Sequence, residues 1–486
     1  MLSRRPALAT VAALSLALVL GGCSDGGDDP APSPEATATG PTRTATPEPV
    51  QLRLGVYGSE PELAGWSSVA SDFNAKGAGA EVDLVEWKDR ESAMDAVREG
   101  DVPDVFMVNR QDLDYLLEEG LTRPVSELLD ERGVDFGDDF SRDAVESFSF
   151  DGELQCMAYA VSPMVMYVNE DLVDFDKMER RGFDVPSRWD RWSLAEFEAA
   201  ADFAARPARG TSGFWIEPSV HGLAPFVESG GGSVFDDAES PTSLNFSDDD
   251  SRAALEQSLA VLRDASLTLT DEQLAKRPAL EWFKRGKLGM IAGYRDLVPE
   301  LRQVRDLNFN VMSMPMVENA ATVGEVTGLC ISSDSKHPAA AADLIAHSVS
   351  EESTREVVKA GGMVPANLAV AGSEDFLQTA RQPKRSRVFN TAVRGMTIDP
   401  LLHSWPELEE AVAPWMLELL TAPGDLDLEA VTEQIDEASR AVLDPESVEV
   451  DPESESSGSA SPTPTTSPTP TTSPKAKPSP SGKPKQ

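Results

Sequence analysis

The sequence predicts an α/β protein built as two α/β lobes, and three observations predict it. Apolar residues alternate at strand spacing and then recur at helical spacing, element after element, as parallel β-α-β units require. The patterned region runs for about 400 residues, more than one hydrophobic core normally spans. Polar, Pro-rich ends with almost nothing to bury bound it on both sides. Local pattern leaves open whether the lobes are consecutive or interleaved.

Taken in order, the 486-residue chain opens with Arg4 and Arg5, then Ala7 to Leu20, apolar except for Thr10 and Ser15. A positive start and an apolar core too short for an ordinary spanning helix predict an export signal over residues 1–22. The run Leu20-Gly21-Gly22-Cys23 that ends it resembles the lipobox of bacterial lipoproteins. That resemblance implies cleavage before Cys23, a lipid on its sulfur, and a protein held at the extracytoplasmic face of the cell membrane. An ordinary signal peptide is the alternative. Ser3-Arg4-Arg5 faintly resembles a twin-arginine signal, so the export route stays open. Residues 23–50 are rich in Ser, Thr, Pro, Ala, Gly and Asp and read as a disordered tether. Residues 446–486, with Ser-Pro-Thr-Pro-Thr-Thr repeats and a Lys-containing end, read as a solvated tail. Contact with anionic cell-wall polymer, or glycosylation of the threonines, is the sharper reading of that tail.

Between the ends, Leu52, Leu54 and Val56 alternate as a strand should, and Trp66, Val69, Ala70 and Phe73 follow at helical spacing. Val82, Leu84 and Trp87 predict a second strand. Ala93 to Arg98 predicts a short helix stopped by Gly100, and Asp104 to Val108 a buried third strand. Leu113, Leu116 and Leu117 begin another helix. The same grammar returns in the second half. Ser193-Leu194-Ala195-Glu196 is a capping box, Leu255, Leu259 and Leu262 mark a helix, and Pro338 can open one that buries Ala341, Leu344 and Ile345.

Charge and motifs remove several functions. Asp+Glu number 83 against Lys+Arg 42, for a net charge of −41, which disfavours nucleic acid and anionic headgroups as partners. The four histidines, at 221, 337, 347 and 403, match no zinc spacing with the cysteines, so neither metal nor other cofactor is expected. With Cys23 acylated, Cys156 and Cys330 remain; an extracytoplasmic setting permits a disulfide, and two buried thiols are the alternative. No G-x-S-x-G elbow, H-E-x-x-H helix or P-loop is present, so no enzyme is expected. A lipid-anchored glycosidase using two carboxylates and an adhesive envelope lipoprotein are the competing classes.

Six segments in order carry a family resemblance. They are Gly100-Asp101-Val102-Pro103-Asp104-Val105, Tyr167-Val168-Asn169-Glu170-Asp171-Leu172, and Pro186 with Trp189-Asp190 and the capped helix. Phe283-Lys284-Arg285-Gly286-Lys287-Leu288-Gly289-Met290, Thr327-Gly328-Leu329-Cys330-Ile331-Ser332 and Gly361-Gly362-Met363-Val364-Pro365-Ala366 complete them. Together they resemble the family 1 extracellular solute-binding proteins of ABC importers, the group of maltose-binding protein. Two departures bear on the ligand: Tyr57-Gly58-Ser59-Glu60 lacks the family's frequent tryptophan, and Gly293-Tyr294 stands where Gly-Trp is usual.

The resemblance implies a type II, periplasmic-binding-protein-like fold with two interleaved α/β lobes joined by a hinge. Lobe 1 would hold residues 51–158 and 330–368, and lobe 2 residues 161–327 and 372–443. The hinge would cross near Ala160, Gly328 and Ala371. It places Cys156 and Cys330 on adjoining strands, close enough to pair. It also implies a monomer that captures a small solute, a sugar or polyol being favoured, and delivers it to an ABC permease. Sugars need planar polar groups and exposed rings. The candidate ligand residues are Tyr57, Glu60, Asn109, Arg110, Ser162, Trp215, Tyr294, Arg295 and Trp405. Among these, Tyr294 and Trp215 are expected to stack on the ligand, and Glu60, from the opposite lobe, to accept its hydroxyl hydrogen bonds. Trp66, Trp282 and Trp415 are assigned to the core, and Trp215 reads either way, as core or as cleft.

Overall fold

The computed structural model describes residues 49–77 and 79–447. The signal segment, Cys23, nearly all of the tether and the tail beyond Ser447 lie outside the described residues. Pro49 and Val50, the tether's last residues, are described, and Val50 already pairs with Ala80 in the first two strands.

Ten strands form the main paths of the two main sheets: β1 (Val50–Tyr57), β2 (Ala80–Trp87), β3 (Val105–Asn109), β4 (Cys156–Pro163), β5 (Val165–Asn169), β6 (Ser212–Trp215), β7 (Leu288–Gly293), β8 (Phe309–Met312), β9 (Thr322–Ser332) and β10 (Val364–Pro365); the short strands Thr122–Arg123 and Met396–Thr397 pair with β9 beside them. The larger sheet runs β10-β4-β9-β3-β1-β2 and the smaller β8-β5-β7-β6. β1 lies parallel to β2 and β3, while β9 runs antiparallel to β3 and β4. The sequence dictates much of this locally. Leu52, Leu54 and Val56 are buried on β1, and the helix Glu60–Lys76 buries Trp66, Val69, Ala70 and Phe73 against it. The Ser193 hydroxyl accepts from the Glu196 amide at 3.2 Å and Glu196 returns the bond at 2.7 Å, which starts the helix Leu194–Ala204.

The smaller sheet is buried on both faces. On β5, Val165 and Tyr167 join one apolar cluster, shared with the larger sheet, while Met166 and Val168 join a second. That is the strand period of two in a sheet covered on both sides. The second cluster also holds Leu408, Val412, Met416, Val431 and Ile435, from the helices Trp405–Thr421 and Leu428–Leu443. Asp436 of the last helix accepts the amides of Phe246 and Ser247 at 2.8 and 2.9 Å, which ties the C-terminal helices to the middle of the chain.

The chain therefore leaves the larger sheet and returns to it. β4 passes into β5 through Met164, whose amide donates to the Val323 carbonyl at 2.9 Å. The return lies between Met312 of β8 and Thr322 of β9. Gly328 consequently sits inside the larger sheet, opposite Val108. Both passages fall a few residues from where motif resemblance alone puts them, because alternation marks a strand without saying which sheet it joins. Cys156 and Cys330 face each other directly across β4 and β9. Their sulfurs are bonded at 1.97 Å, with Cα atoms 4.3 Å apart.

Candidate ligand-binding cleft

Tyr57 and Lys88 to Arg90 stand at the carboxyl ends of β1 and β2, the place where open α/β sheets take ligands. Two adjoining cavities lie there. The first, of about 490 Å³, is walled mainly by the larger sheet and its helices: Tyr57, Glu62, Trp66, Asp89, Arg90, Tyr159 and Ser162 among others. The second, of about 570 Å³, is walled mainly by the smaller sheet: Trp215, Glu217, Ser219, His221 and Glu409 with residues of β7. Tyr294, Asp296 and Glu325 line both and stand where the halves meet.

Of the sequence-derived candidates, the fold brings Tyr57, Ser162, Trp215 and Tyr294 to these walls. Tyr57 ends β1, Ser162 lies late on β4, Trp215 ends β6 and Tyr294 follows β7. Tyr294 is anchored through its carbonyl, which accepts the Tyr167 hydroxyl at 2.5 Å. Trp66, placed in the core by its helical spacing, is 1% exposed and also backs the first cavity, its ring 4.7 Å from that of Tyr159.

The other candidates are placed elsewhere. Glu60 is exposed at the first turn of its helix and lines neither cavity. Two positions on, Glu62 does, and it accepts both the amide and the hydroxyl of Ser59, at 2.9 and 2.6 Å. Gly362 lets that carboxylate approach, since a Cβ there would meet Glu62 Oε1 at 2.6 Å. Asn109 is buried behind the wall; its amide donates to Glu325 Oε2 at 3.0 Å and its oxygen caps the Gln111 amide. Arg110 binds the carbonyls of Ser147, at 2.8 Å, and Asp399. Arg295 is 0% exposed. It donates to the carbonyls of Gly361 and Phe376 at 2.9 and 3.2 Å and lies between the rings of Phe376 and Phe389. Burial pulls its pKa down to about 9. It braces the loop that carries Tyr294 and cannot reach the cleft. Trp405 packs behind the wall against His221, ring centres 4.8 Å apart.

Residues outside the sequence-derived set supply most of the charge. Asp296 faces the solvent of the cleft, yet burial among its walls, then Glu325 and Glu62, push its pKa up to about 6. The His221 Nε2 lies 2.7 Å from Asp399; burial draws its pKa down, but Asp399 outweighs this and the net shift is upward. Burial raises Glu409, with His221 opposing. The cleft thus offers rings for stacking and carboxylates for hydrogen bonds, from both sheets, around one space.

Comparison with known proteins agrees with this geometry. No curated protein matches the chain by sequence. Three similar solved structures are an ABC substrate-binding protein of Listeria monocytogenes in complex with cycloalternan, the GacH receptor of Streptomyces glaucescens, and the sugar-binding protein MalE of Xanthomonas citri. The first is 18% identical with a TM-score of 0.67, over 81% of this chain and 99% of that one. The second is 16% identical with a TM-score of 0.64, over 81% and 98%. The third is 16% identical with a TM-score of 0.67, over 81% and 97%. These likenesses show the fold, a mixed α/β periplasmic-binding-protein architecture. Residues 68–383 match the family described as bacterial extracellular solute-binding protein, and the chain belongs to that family of non-catalytic solute binders.

Proposed function

We propose that this protein is the receptor of an ABC importer, that its solute is a carbohydrate, and that a lipid on Cys23 holds it outside the cell membrane. The observation that carries the carbohydrate reading is the cleft wall. The rings of Trp215 and Tyr294 share it with carboxylates from both sheets, the pairing that flat C–H faces and hydroxyls require. The similar structures support it, one described as sugar-binding and others solved with cycloalternan and acarbose. Among the described residues no helix is long and apolar enough to cross a membrane; the lipid anchor is supported by the Leu20-Gly21-Gly22-Cys23 motif.

The proposed moving bodies are those that carry the two sheets, about residues 51–163 with 322–368, and 165–312 with 372–443, closing about the passages at Met164, between Met312 and Thr322, and after Ala371. A ligand touching both bodies favours closure by its differential affinity; reversing a 99:1 preference takes about 5.5 kcal/mol. The closed form docks on the permease. Calorimetric titration of the purified protein with maltotriose, related oligosaccharides and polyols tests the reading. Saturable binding with compaction in small-angle scattering is expected; silence across the carbohydrate panel would reject it.

A further inference from the structure

We propose that the ligand of this cleft carries a protonated amine, received between the Asp296 and Glu325 carboxylates where the two cavities meet. The inference rests on the cleft being the binding site and narrows the carbohydrate reading to amine-bearing sugars.

The chain as a whole has 83 acids to 42 bases, so an acidic wall alone decides nothing. What decides is how the charges in this wall are paired. Its cationic groups are already engaged, His221 with Asp399 at 2.7 Å. Lys88 lies 2.9 Å from Asp89, and Arg90 holds Asp112, outside the lining, at 2.7 Å. Glu62, Glu217, Asp296 and Glu325 line the cavities and, among the described residues, none has a Lys, Arg or His within 4.0 Å. Two of them are held rigidly by neutral donors: Glu325 by the Asn109 amide and Glu62 by Ser59. The loop of Asp296 is braced by buried Arg295. Glu325 and Glu62 are thus preorganised; Arg90 and His221 act on Glu325 only at longer range, and among the described residues none of the four carboxylates has a direct ion pair.

A neutral sugar could donate hydroxyl hydrogen bonds to them, but closing over it would strip water from several like charges at once. A cation between Asp296, on the smaller-sheet side, and Glu325, on β9, removes that repulsion and makes closure itself favourable. Asp296 fits this: burial first, then Glu325 and Glu62, push its pKa upward. An independent sign of a missing polar ligand is Tyr159. It lines the first cavity, is 3% exposed, and its hydroxyl has no hydrogen-bond partner among the described residues.

The test is calorimetric titration of the full-length protein near neutral pH with four compounds: fully deacetylated glucosamine trisaccharide, its N-acetylated counterpart, maltotriose and spermidine. The glucosamine trisaccharide is expected to bind at least about tenfold more tightly than either neutral sugar, as one charge-assisted contact allows. That preference should shrink as NaCl rises from about 0.05 to about 0.5 M, while neutral-sugar binding holds. Asp296→Asn and Glu325→Gln should each erase most of the preference, with apo melting temperature as the control for folding. Neutral sugars binding as well as the amine would overturn the inference and leave the carbohydrate reading standing. Spermidine binding with all three sugars silent would support the amine and reject the carbohydrate reading. Silence of all four would overturn the inference.

Discussion

Replacing both Cys156 and Cys330 by alanine tests the architecture most directly. The bond joins positions 174 apart in sequence. By loop-closure entropy, closing a loop of that length raises the free energy of the disulfide-bonded unfolded chain by about 5 kcal/mol relative to the reduced one. Both residues are fully buried at the centre of the larger sheet, one on each of two adjoining strands. Losing the sulfurs therefore adds a small packing loss, on the order of 1 kcal/mol. Residual compactness in the unfolded chain subtracts from the entropic part. The expected net loss is about 3–5 kcal/mol, a large share of the 5–15 kcal/mol typical of a domain. Urea denaturation followed by tryptophan fluorescence reads it as a lowered midpoint, and wild-type protein under reductant should move toward the variant. Peptide mapping after alkylation without reductant should find no label on Cys156 or Cys330. Labels on both, or a double variant whose midpoint is unchanged, would refute the staple.

Four further outcomes follow from the same geometry. Arg295→Ala leaves the Gly361 and Phe376 carbonyls without their donor; the apo protein should lose about 2–4 kcal/mol, less for Arg295→Met, and an unchanged melt with lost binding would instead return Arg295 to the ligand. Trp215→Ala should weaken ligand affinity by about tenfold to a hundredfold with little change in apo melting, whereas Trp192→Ala, 1% exposed, should cost about 3–5 kcal/mol of stability; thermal melts and titrations on the pair separate cleft from core. Asp296 titrates near pH 6, facing Glu325 and Glu62, with Glu217, Glu409 and His221 on the adjoining cavity wall. Because its raised pKa favours the neutral form in the free protein, affinity for the glucosamine trisaccharide should fall as pH drops through about 6 and proton release should accompany binding there; calorimetry in two buffers of different ionisation enthalpy measures both. Cys23→Ala should release the protein from the membrane fraction, and retention after a high-salt wash would mean that lipid is not the anchor.

Much of the fold was legible because its signals are local. Alternation on β1, the apolar face of Glu60–Lys76 and the Ser193–Glu196 box each follow from a few adjacent residues. The site was legible only in part, since it depends on which way single side chains turn at element ends. Glu60 and Glu62 show the difference. Ser59 and Glu62 form the same Ser-x-x-Glu pattern as Ser193 and Glu196, so the turn of Glu62 back to the cap, beside the cleft, had a sequence signal; the first-turn Glu60 points to solvent. Tyr294 and Arg295 are neighbours, yet one reaches the cleft and the other is sealed beneath Phe376 and Phe389. Those rings come from more than eighty positions downstream, and no local pattern announces them. The Trp405–His221 contact is hidden for the same reason.

Glu325 is the residue where fold and function meet, and its signal was present. It is the one acid on β9, in Val323-Gly324-Glu325-Val326, with a buried residue on either side. A carboxylate held in such a strand needs a partner. Asn109 supplies one hydrogen bond from β3, and the rest of its capacity faces the space shared by both cavities. The same strand carries Cys330, stapled to β4, and at its start Val323 accepts the amide of Met164, where the chain passes from one sheet to the other. β9 is thus rigid at its disulfide end and adjoins the passage at its other end. A charge bound at Glu325 acts on the segment about which the two bodies are proposed to turn. Ligand contact and closure are then one event, which is why a variant as small as Glu325→Gln should change selectivity without changing the fold.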